Sequence, residues 1–220
     1  MKPQISLNRV ACLLGALSCL LNWGCSPPTP GREKNESPFK DEVAWQASNA
    51  TSLKDIAFQD DQGQTVDLKQ FLGKKSVVLV ITRGFQFSGY GDGVCVYCTS
   101  QTSRLIANYP QLKDRNAEVV VVFPIDKPEQ AAARGKLMAK AQSQQTPPAE
   151  RIPFPVWLDS ELKMVTHLGI RADLSKPATY ILDTAGQVRF AYVGNSMTDR
   201  PSVKAILNKL DELAQETKTP

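Results

Sequence analysis

Two cysteines separated by two residues, Cys95 and Cys98, are the side chains of this chain best suited to chemistry. A thiolate is a strong nucleophile, and a second thiol nearby can attack the intermediate that the first one forms. A disulfide between them would close so short a loop that it would stabilise the fold very little. The spacing therefore predicts a redox-active dithiol. We expect Cys95, nearer the exposed end, to be the nucleophile and Cys98 to be the second thiol.

Zinc and haem sites fit the same spacing poorly. A structural zinc site usually needs four cysteine or histidine ligands. Outside the first 25 residues the chain has only this cysteine pair and His167. Attachment of a c-type haem requires a histidine directly after the second cysteine, and Thr99 stands there. We therefore expect neither a metal nor a cofactor at the dithiol.

A buried strand and a helix are predicted on either side of the pair. The β-branched run SVVLVIT at residues 76–82 is typical of a central strand. Apolar residues at helical spacing between Leu105 and Leu112 predict a helix that begins at the cysteines. Unpaired N–H groups and the macrodipole at a helix N-terminus favour an anion, which lowers the pKa of a thiol there. Strand, loop and helix thus support the dithiol.

Strands and helices alternate along the remainder of the chain. The patterns predict an N-terminal hairpin over 56–68, strands at 118–123, 156–158, 179–182 and 188–193, and helices at 128–145, 159–168 and 201–214. Asp159 is the predicted N-cap of the helix over 159–168. Together these elements predict one α/β domain over residues 49–217.

The order of these elements resembles the thioredoxin fold, and in detail its redoxin branch, the alkyl hydroperoxide reductase / thiol-specific antioxidant family. The matching stretches are DDQGQTVDLKQFLGKKSVVLVITRG, CVYCTSQTSRL, EVVVVF and KPATYILDTAGQVRFAYVG. The resemblance covers about residues 52–213. It implies an α/β, thioredoxin-like fold with a central mixed β-sheet flanked by helices, and an oxidoreductase activity.

The resemblance also implies a second part of the site at Pro177. Thioredoxin-like proteins have a cis proline before the corresponding strand, where it lies against the dithiol. The backbone beside that proline, here at Lys176, binds a substrate chain. The alternative is a trans proline that simply opens a strand.

Two departures from the family pattern bear on the substrate. Peroxiredoxins usually have Thr or Ser three residues before the peroxidatic cysteine, whereas Asp92 precedes Cys95 and Cys95 itself precedes Cys98 at that distance. They also have an arginine near the place of Pro177. Arg83 is the candidate substitute for that arginine, although ten residues separate the Arg83–Gly84 pair from Cys95.

Three functions follow from these residues. The first is thiol–disulfide exchange with exported proteins, in which Cys95 forms a mixed disulfide that Cys98 resolves. The second is peroxide reduction, in which Cys95 becomes a sulfenic acid and Cys98 resolves it. Both need an external thiol reductant, which the sequence does not identify. The third is a binding module without enzymatic activity, either a scaffold or a copper carrier that adds His167 to the two cysteines.

The first 24 residues are predicted to be an export signal. The uncharged run at residues 10–21 is too short to span a bilayer but suits a secretory signal peptide. Cys25 follows Gly24 as in the lipobox of bacterial lipoproteins, with Cys19 as a second candidate for lipidation. Acyl chains on Cys25 would hold the protein to the periplasmic side of a membrane, and a soluble exported protein is the alternative. Residues 25–48, rich in polar residues and proline, predict a flexible linker.

The net charge speaks against a nucleic-acid partner. It is +4 for the whole chain, and it falls to +2 without the predicted signal because Lys2 and Arg9 lie there. No basic stripe remains that could bind a phosphate backbone. With 42% hydrophobic and 22% charged residues, the composition is that of a globular domain.

Overall fold

The computed structural model describes residues 39–46, 53–86 and 92–216. The predicted signal peptide, Cys25 and the predicted linker as far as residue 38 lie outside the described residues. Within the described ranges, no helix is both long and apolar enough to cross a membrane.

Nine strands and four helices make up this part of the chain. The strands are β1 (Phe39–Lys40), β2 (Phe58–Gln59), β3 (Thr65–Val66), β4 (Ser76–Ile81), β5 (Ala117–Ile125), β6 (Val156–Ser160), β7 (Ala178–Leu182), β8 (Val188–Val193) and β9 (Arg200–Pro201). The helices are α1 (Val96–Asp114), α2 (Ala132–Ser143), α3 (Lys163–His167) and α4 (Val203–Glu216). Single turns of 3-10 helix cover Leu68–Gln70 and Pro128–Ala131.

Seven of the strands form one mixed sheet in the order β3-β2-β6-β5-β4-β7-β8. The three central strands β6, β5 and β4 run parallel, while β7 and β8 on one side and β2 and β3 on the other are antiparallel to their neighbours. Strands β1 and β9 form a separate parallel pair. The predicted central mixed sheet flanked by helices is confirmed.

Alternate residues of the central strands supply the two faces of the core. In β4, Val78 and Val80 pack with α1, α2 and α4, whereas Val77 and Leu79 pack on the opposite face with α3. Successive side chains of a strand point to opposite faces, so a strand buried on both sides needs a continuous apolar run. This requirement explains why the β-branched runs at 76–82 and 118–123 predict the strands at the centre of the sheet.

The predicted helix over 159–168 is shorter than expected. Strand β6 continues past Asp159 because its last residues pair with β5, and α3 begins only at Lys163. The buried Asp159 carboxylate nevertheless accepts hydrogen bonds from the N–H groups of Met164 (2.9 Å) and Val165 (3.0 Å). Asp159 therefore satisfies the first turn of α3 from the preceding strand rather than from the N-cap position.

Residues 39–46 differ from the predicted linker over 25–48, because they pack on the folded domain. Phe39 is buried in β1. Trp45 packs against the core and makes an edge contact with Tyr192, with 6.3 Å between ring centroids. Two aromatic side chains provide enough apolar surface to hold a segment whose other residues are polar. Residues 39–46 therefore belong to the folded domain and are not part of a flexible linker.

Candidate active site

The two cysteines lie where β4 leads into α1. Cys95 is the extended residue directly before the helix, with φ −70° and ψ 124°, and Cys98 lies in the first turn. Both are free thiols. The predicted start of the helix at the cysteines is confirmed.

Both cysteines are buried, and Cys95, which was expected nearer the exposed end, is the less closely surrounded by protein atoms. Cys95 is 0% exposed and Cys98 is 1% exposed, because both belong to the apolar cluster between α1 and the sheet, together with Val94. The neighbouring Val96, in contrast, is 49% exposed. The sulfurs are thus enclosed, while the chain beside them reaches the surface.

The two ends of the connection between β4 and α1 are joined by backbone hydrogen bonds. Phe85 and Val94 form an antiparallel bridge, and the N–H of Gln86 donates to the carbonyl of Gly93 at 3.1 Å. Residues on either side of the long connection are therefore held together. The bridge keeps the residues that follow β4 close to the dithiol.

Arg83 meets the dithiol through its backbone. Its N–H donates to the Sγ of Cys98 at 3.3 Å. Its guanidinium lies 3.5 Å from the carboxylate of Asp173. The contact of Arg83 with the site is thus an amide hydrogen bond, and its side chain takes part in an ion pair.

Arg200, which no sequence pattern predicts as a site residue, places a guanidinium against the dithiol. This arginine is only 1% exposed. Its Nη2 donates to the Sγ of Cys98 at 3.1 Å, its Nη1 donates to Oε1 of Gln101 at 2.6 Å, and its Nε donates to the carbonyl of Met197 at 2.9 Å. All three of its nitrogens are therefore engaged inside the protein.

The charge of Arg200 has no carboxylate partner within the described part of the chain. A buried cation without a counter-charge is unfavourable, so an anion on either sulfur would be stabilised here. The sequence contains only a weak signal for this contact. Arg200 lies just before α4, and because a helix N-terminus disfavours positive charge, its side chain must point away from that helix.

The environment favours a thiolate on Cys95. A hydrogen bond from the Cys98 thiol is the largest influence, and the net effect lowers the pKa of Cys95 to about 5. Burial opposes this shift, whereas the amide of Cys98, the charge of Arg200 and the amide of Tyr97 add to it. The amides belong to the first turn of α1, as expected for an anion at a helix N-terminus.

The same environment keeps the proton on Cys98. Burial is the main cause that raises the pKa of Cys98 well above its ordinary value, and its hydrogen bond to Cys95 raises that pKa further. The charge of Arg200 and the amide of Arg83 act in the opposite direction. One proton is thus shared unequally, with Cys95 as the anion and Cys98 as the donor.

The expected cis proline at Pro177 is wrong. Within the described ranges the one cis peptide bond joins Thr146 to Pro147, so the Lys176–Pro177 bond is trans. Pro177 is buried and leads straight into β7, where no tight turn is required; its carbonyl accepts from the N–H of Gly194 at 2.8 Å. Lys176 is exposed, and its predicted role with Pro177 in positioning a substrate chain stays a prediction.

His167 lies on α3, the helix that covers the opposite face of the sheet from the cysteines. Across the described residues, no group of three or more His, Cys, Asp and Glu side chains is placed to hold a metal ion. The structure therefore does not bring His167 to the cysteine pair.

Comparisons with solved structures show the shared fold. A mutant of peroxiredoxin 6 from Arenicola marina matches with a TM-score of 0.63 at 14% identity, over 80% of this chain and 76% of the other. A mitochondrial 1-Cys peroxiredoxin from yeast matches with a TM-score of 0.61 at 13% identity, over 79% of each chain. Peroxidoxin BcpB from Mycobacterium tuberculosis matches with a TM-score of 0.55 at 16% identity, over 76% of this chain and 99% of the other.

Comparison with sequence families is more specific. No curated protein matched significantly. The model of the AhpC/TSA family matches residues 50–191, which is more than half of the chain, and the matched range includes both cysteines. The chain therefore belongs to the AhpC/TSA family and is a thiol-dependent oxidoreductase.

Proposed function

We propose that this protein is a two-cysteine thiol peroxidase, with Cys95 as the peroxidatic and Cys98 as the resolving cysteine. The observation that carries the proposal is the enclosure of both sulfurs beside a buried guanidinium. A small peroxide needs far less space to reach an enclosed sulfur than the disulfide of a folded protein does. The peroxiredoxin structures that share the fold support the same choice.

The first step is attack by the Cys95 thiolate on the peroxide ROOH. A sulfur–oxygen bond forms, the oxygen–oxygen bond breaks, and Cys95 becomes a sulfenic acid. The departing oxygen needs a proton to leave as ROH. The Cys98 thiol faces Cys95 and is placed to supply that proton, after which the negative charge lies on Cys98.

The second step is attack by Cys98 on the sulfur of Cys95. Once Cys95 is a sulfenic acid, its negative charge no longer raises the pKa of Cys98. The guanidinium of Arg200 and the N–H of Arg83 still face the Cys98 sulfur and stabilise a thiolate there. The new disulfide releases hydroxide, which takes a proton from solvent to form water. In total the dithiol loses two electrons and the peroxide gains them.

The cycle closes when an external dithiol or two thiols reduce the Cys95–Cys98 disulfide. That reductant must approach a sulfur through exchange chemistry. A groove of about 210 Å³ lies beside the first turn of α1 and is lined in part by Val94 and Val96, the residues on either side of Cys95. This groove is the route that we assign to the reductant.

Thiol–disulfide exchange with exported proteins is the second candidate function. The half-exposed Val96 favours it, because an apolar side chain next to the nucleophile offers a contact to a partner protein. The same two cysteines would act, with Cys95 forming the mixed disulfide. Enclosure of the sulfurs makes this function the less favoured of the two.

We also propose that the chain is exported and anchored to the periplasmic side of a membrane by acyl chains on Cys25. The support is the uncharged run before Cys25 and the polar, proline-rich residues after it. Labelling with a fatty acid in a bacterial host is expected to mark the wild-type and Cys19→Ala chains and to leave Cys25→Ala unmarked. Labelling of Cys25→Ala would contradict this assignment.

The pH dependence of the thiolate is a direct test of the site. Because the pKa of Cys95 is lowered to about 5, the thiolate is expected to persist as the pH falls from 8 to about 6 and to disappear around pH 5. The ultraviolet absorbance of thiolates, as the difference between the reduced wild type and Cys95→Ser, measures this titration. The Cys98→Ala variant loses the main donor, and its Cys95 pKa should rise. An unshifted titration near pH 8 to 9 would contradict the description of the site.

Rapid mixing of the reduced protein with hydrogen peroxide tests the peroxidase proposal. The full-length chain is used with Cys12→Ser, Cys19→Ser and Cys25→Ser, so that only the dithiol reacts. We expect the disulfide to form about 100-fold faster than oxidation of a small thiol at equal thiolate concentration, the size of effect that preorganised donors give. A parallel experiment with oxidised insulin measures exchange. Peroxide oxidation no faster than the small thiol would exclude the peroxidase and leave exchange as the function.

A further inference from the structure

The strand that holds Arg200 is anchored by the segment at residues 39–46, which we call the N-terminal strap. Strand β9 has two residues, and among the described strands it pairs only with β1: Phe39 lies opposite Arg200 and Lys40 opposite Pro201. The N–H of Ser202 donates to the carbonyl of Lys40 at 2.8 Å. The backbone position of Arg200 therefore depends on the strap.

A charged cluster fixes the residue directly before Arg200. The Nζ of Lys40 lies 2.7 Å from Oδ1 of Asp199. The hydroxyl of Tyr192 donates to the same oxygen at 2.5 Å, and the N–H of Asn195 donates to Oδ2 at 2.9 Å. The Asp199 side chain is only 13% exposed, so these donors are what make its charge tolerable there.

The turn that ends at Asp199 has little freedom to move. A Cβ on Gly194 would lie 2.0 Å from the carbonyl oxygen of Asp199 and 3.0 Å from Cγ of Pro177. The chain is thus closely packed where it approaches Arg200. Because the turn cannot absorb a displacement of Asp199, loss of the charge that binds Asp199 is expected to displace the adjacent Arg200 as well.

The strap also contacts the helix that bears the thiols. The guanidinium of Arg104 lies 4.6 Å from the ring centroid of the buried Phe39. Arg104 lies on α1 three residues after Gln101, which itself lies three residues after Cys98. Both Gln101 and Cys98 contact Arg200. The strap therefore joins β9 to the face of α1 on which the thiol lies.

The C-terminal end of the strap, at Trp45 and Gln46, is also bound to the domain. The backbone N–H and carbonyl of Gln46 exchange hydrogen bonds with Ala191 at 2.8 Å and 3.1 Å. Trp45 contacts the ring of Tyr192, whose hydroxyl reaches Asp199. Contacts at both ends thus converge on the turn before Arg200.

We propose that the N-terminal strap is a positioning element of the active site: through Phe39 and the Lys40–Asp199 pair it holds the Arg200 guanidinium against Cys98 and so sets the reactivity of the dithiol. The effect on the rate of peroxide reduction rests on the proposed function. The effect on the thiols themselves does not, because it requires only the contact between Arg200 and Cys98.

The test compares Lys40→Met with Lys69→Met in the full-length chain. Lys40 pairs with Asp199, whereas Lys69 pairs with Asp55 at 2.9 Å and with Asp67 at 3.8 Å. The two lysines are about equally exposed, at 55% and 54%, so Lys69→Met is the control for loss of a lysine ion pair at the surface. We expect Lys40→Met to raise the Cys95 pKa by about half a pH unit and Arg200→Met to raise it by about one unit or more. Lys69→Met should leave it unchanged, and the rate of disulfide formation with peroxide should fall in the same order.

The double variant Lys40→Met/Arg200→Met separates positioning from a direct charge effect. If Lys40 acts through Arg200, its removal changes nothing further once Arg200 is absent. A Lys40→Met shift of full size in the Arg200→Met chain would overturn the proposal, and so would an unchanged thiol pKa in folded Lys40→Met. If Lys40→Met does not fold, Asp199→Asn is used instead, because it removes the charge of the same ion pair and keeps the side-chain volume. Its effect on the Cys95 pKa is judged by the same criteria. A wild type that reacts slowly with peroxide would refute the proposed function alone, because the thiol titrations would still decide the role of the strap.

Discussion

A buried guanidinium in contact with a buried sulfur is the interaction on which the site depends. Arg200 and Cys98 are both about 1% exposed and lie 3.1 Å apart. Removing an arginine from water is costly unless a counter-charge compensates it, and within the described residues no carboxylate does so. The dithiol is the group that can supply the charge. The arginine therefore favours a state in which one sulfur is an anion, and this is the reactive state in the proposed cycle.

The fold gives the two cysteines different environments. Cys95, before the first turn of α1, is stabilised as a thiolate by the Cys98 thiol and by helix amides. In the proposed cycle, Cys98 retains its proton until Cys95 has reacted, and Arg200 together with the Arg83 amide then stabilises the charge of Cys98. Burial serves both steps, because electrostatic interactions are stronger where water is excluded. It also limits which substrates can reach the sulfurs.

The parts of this arrangement that are local in sequence could be predicted. The apolar runs of β4 and β5 predict a two-sided core, and the apolar spacing after Cys98 predicts α1. Arg200 could not be predicted, because its partner lies 102 residues away and its charge looks like an ordinary surface feature. The packing of the strap on the domain could not be predicted for a similar reason, because Phe39 and Trp45 lie among polar residues that are typical of a linker. The family pattern predicts a cis bond before Pro177, whereas the chain enters β7 directly through a trans bond.

The order in which the two sulfurs react with peroxide is the most direct test of the roles proposed for Cys95 and Cys98. Reduced Cys98→Ser and Cys95→Ser chains, each also lacking Cys12, Cys19 and Cys25, would be treated briefly with hydrogen peroxide and a sulfenic-acid trap, and the adduct located by mass spectrometry. We predict rapid trapping on Cys95 in Cys98→Ser and little or none on Cys98 in Cys95→Ser. Trapping on Cys98 at an equal or higher rate would show that Arg200 activates Cys98 as the nucleophile, and would contradict the assignment of roles.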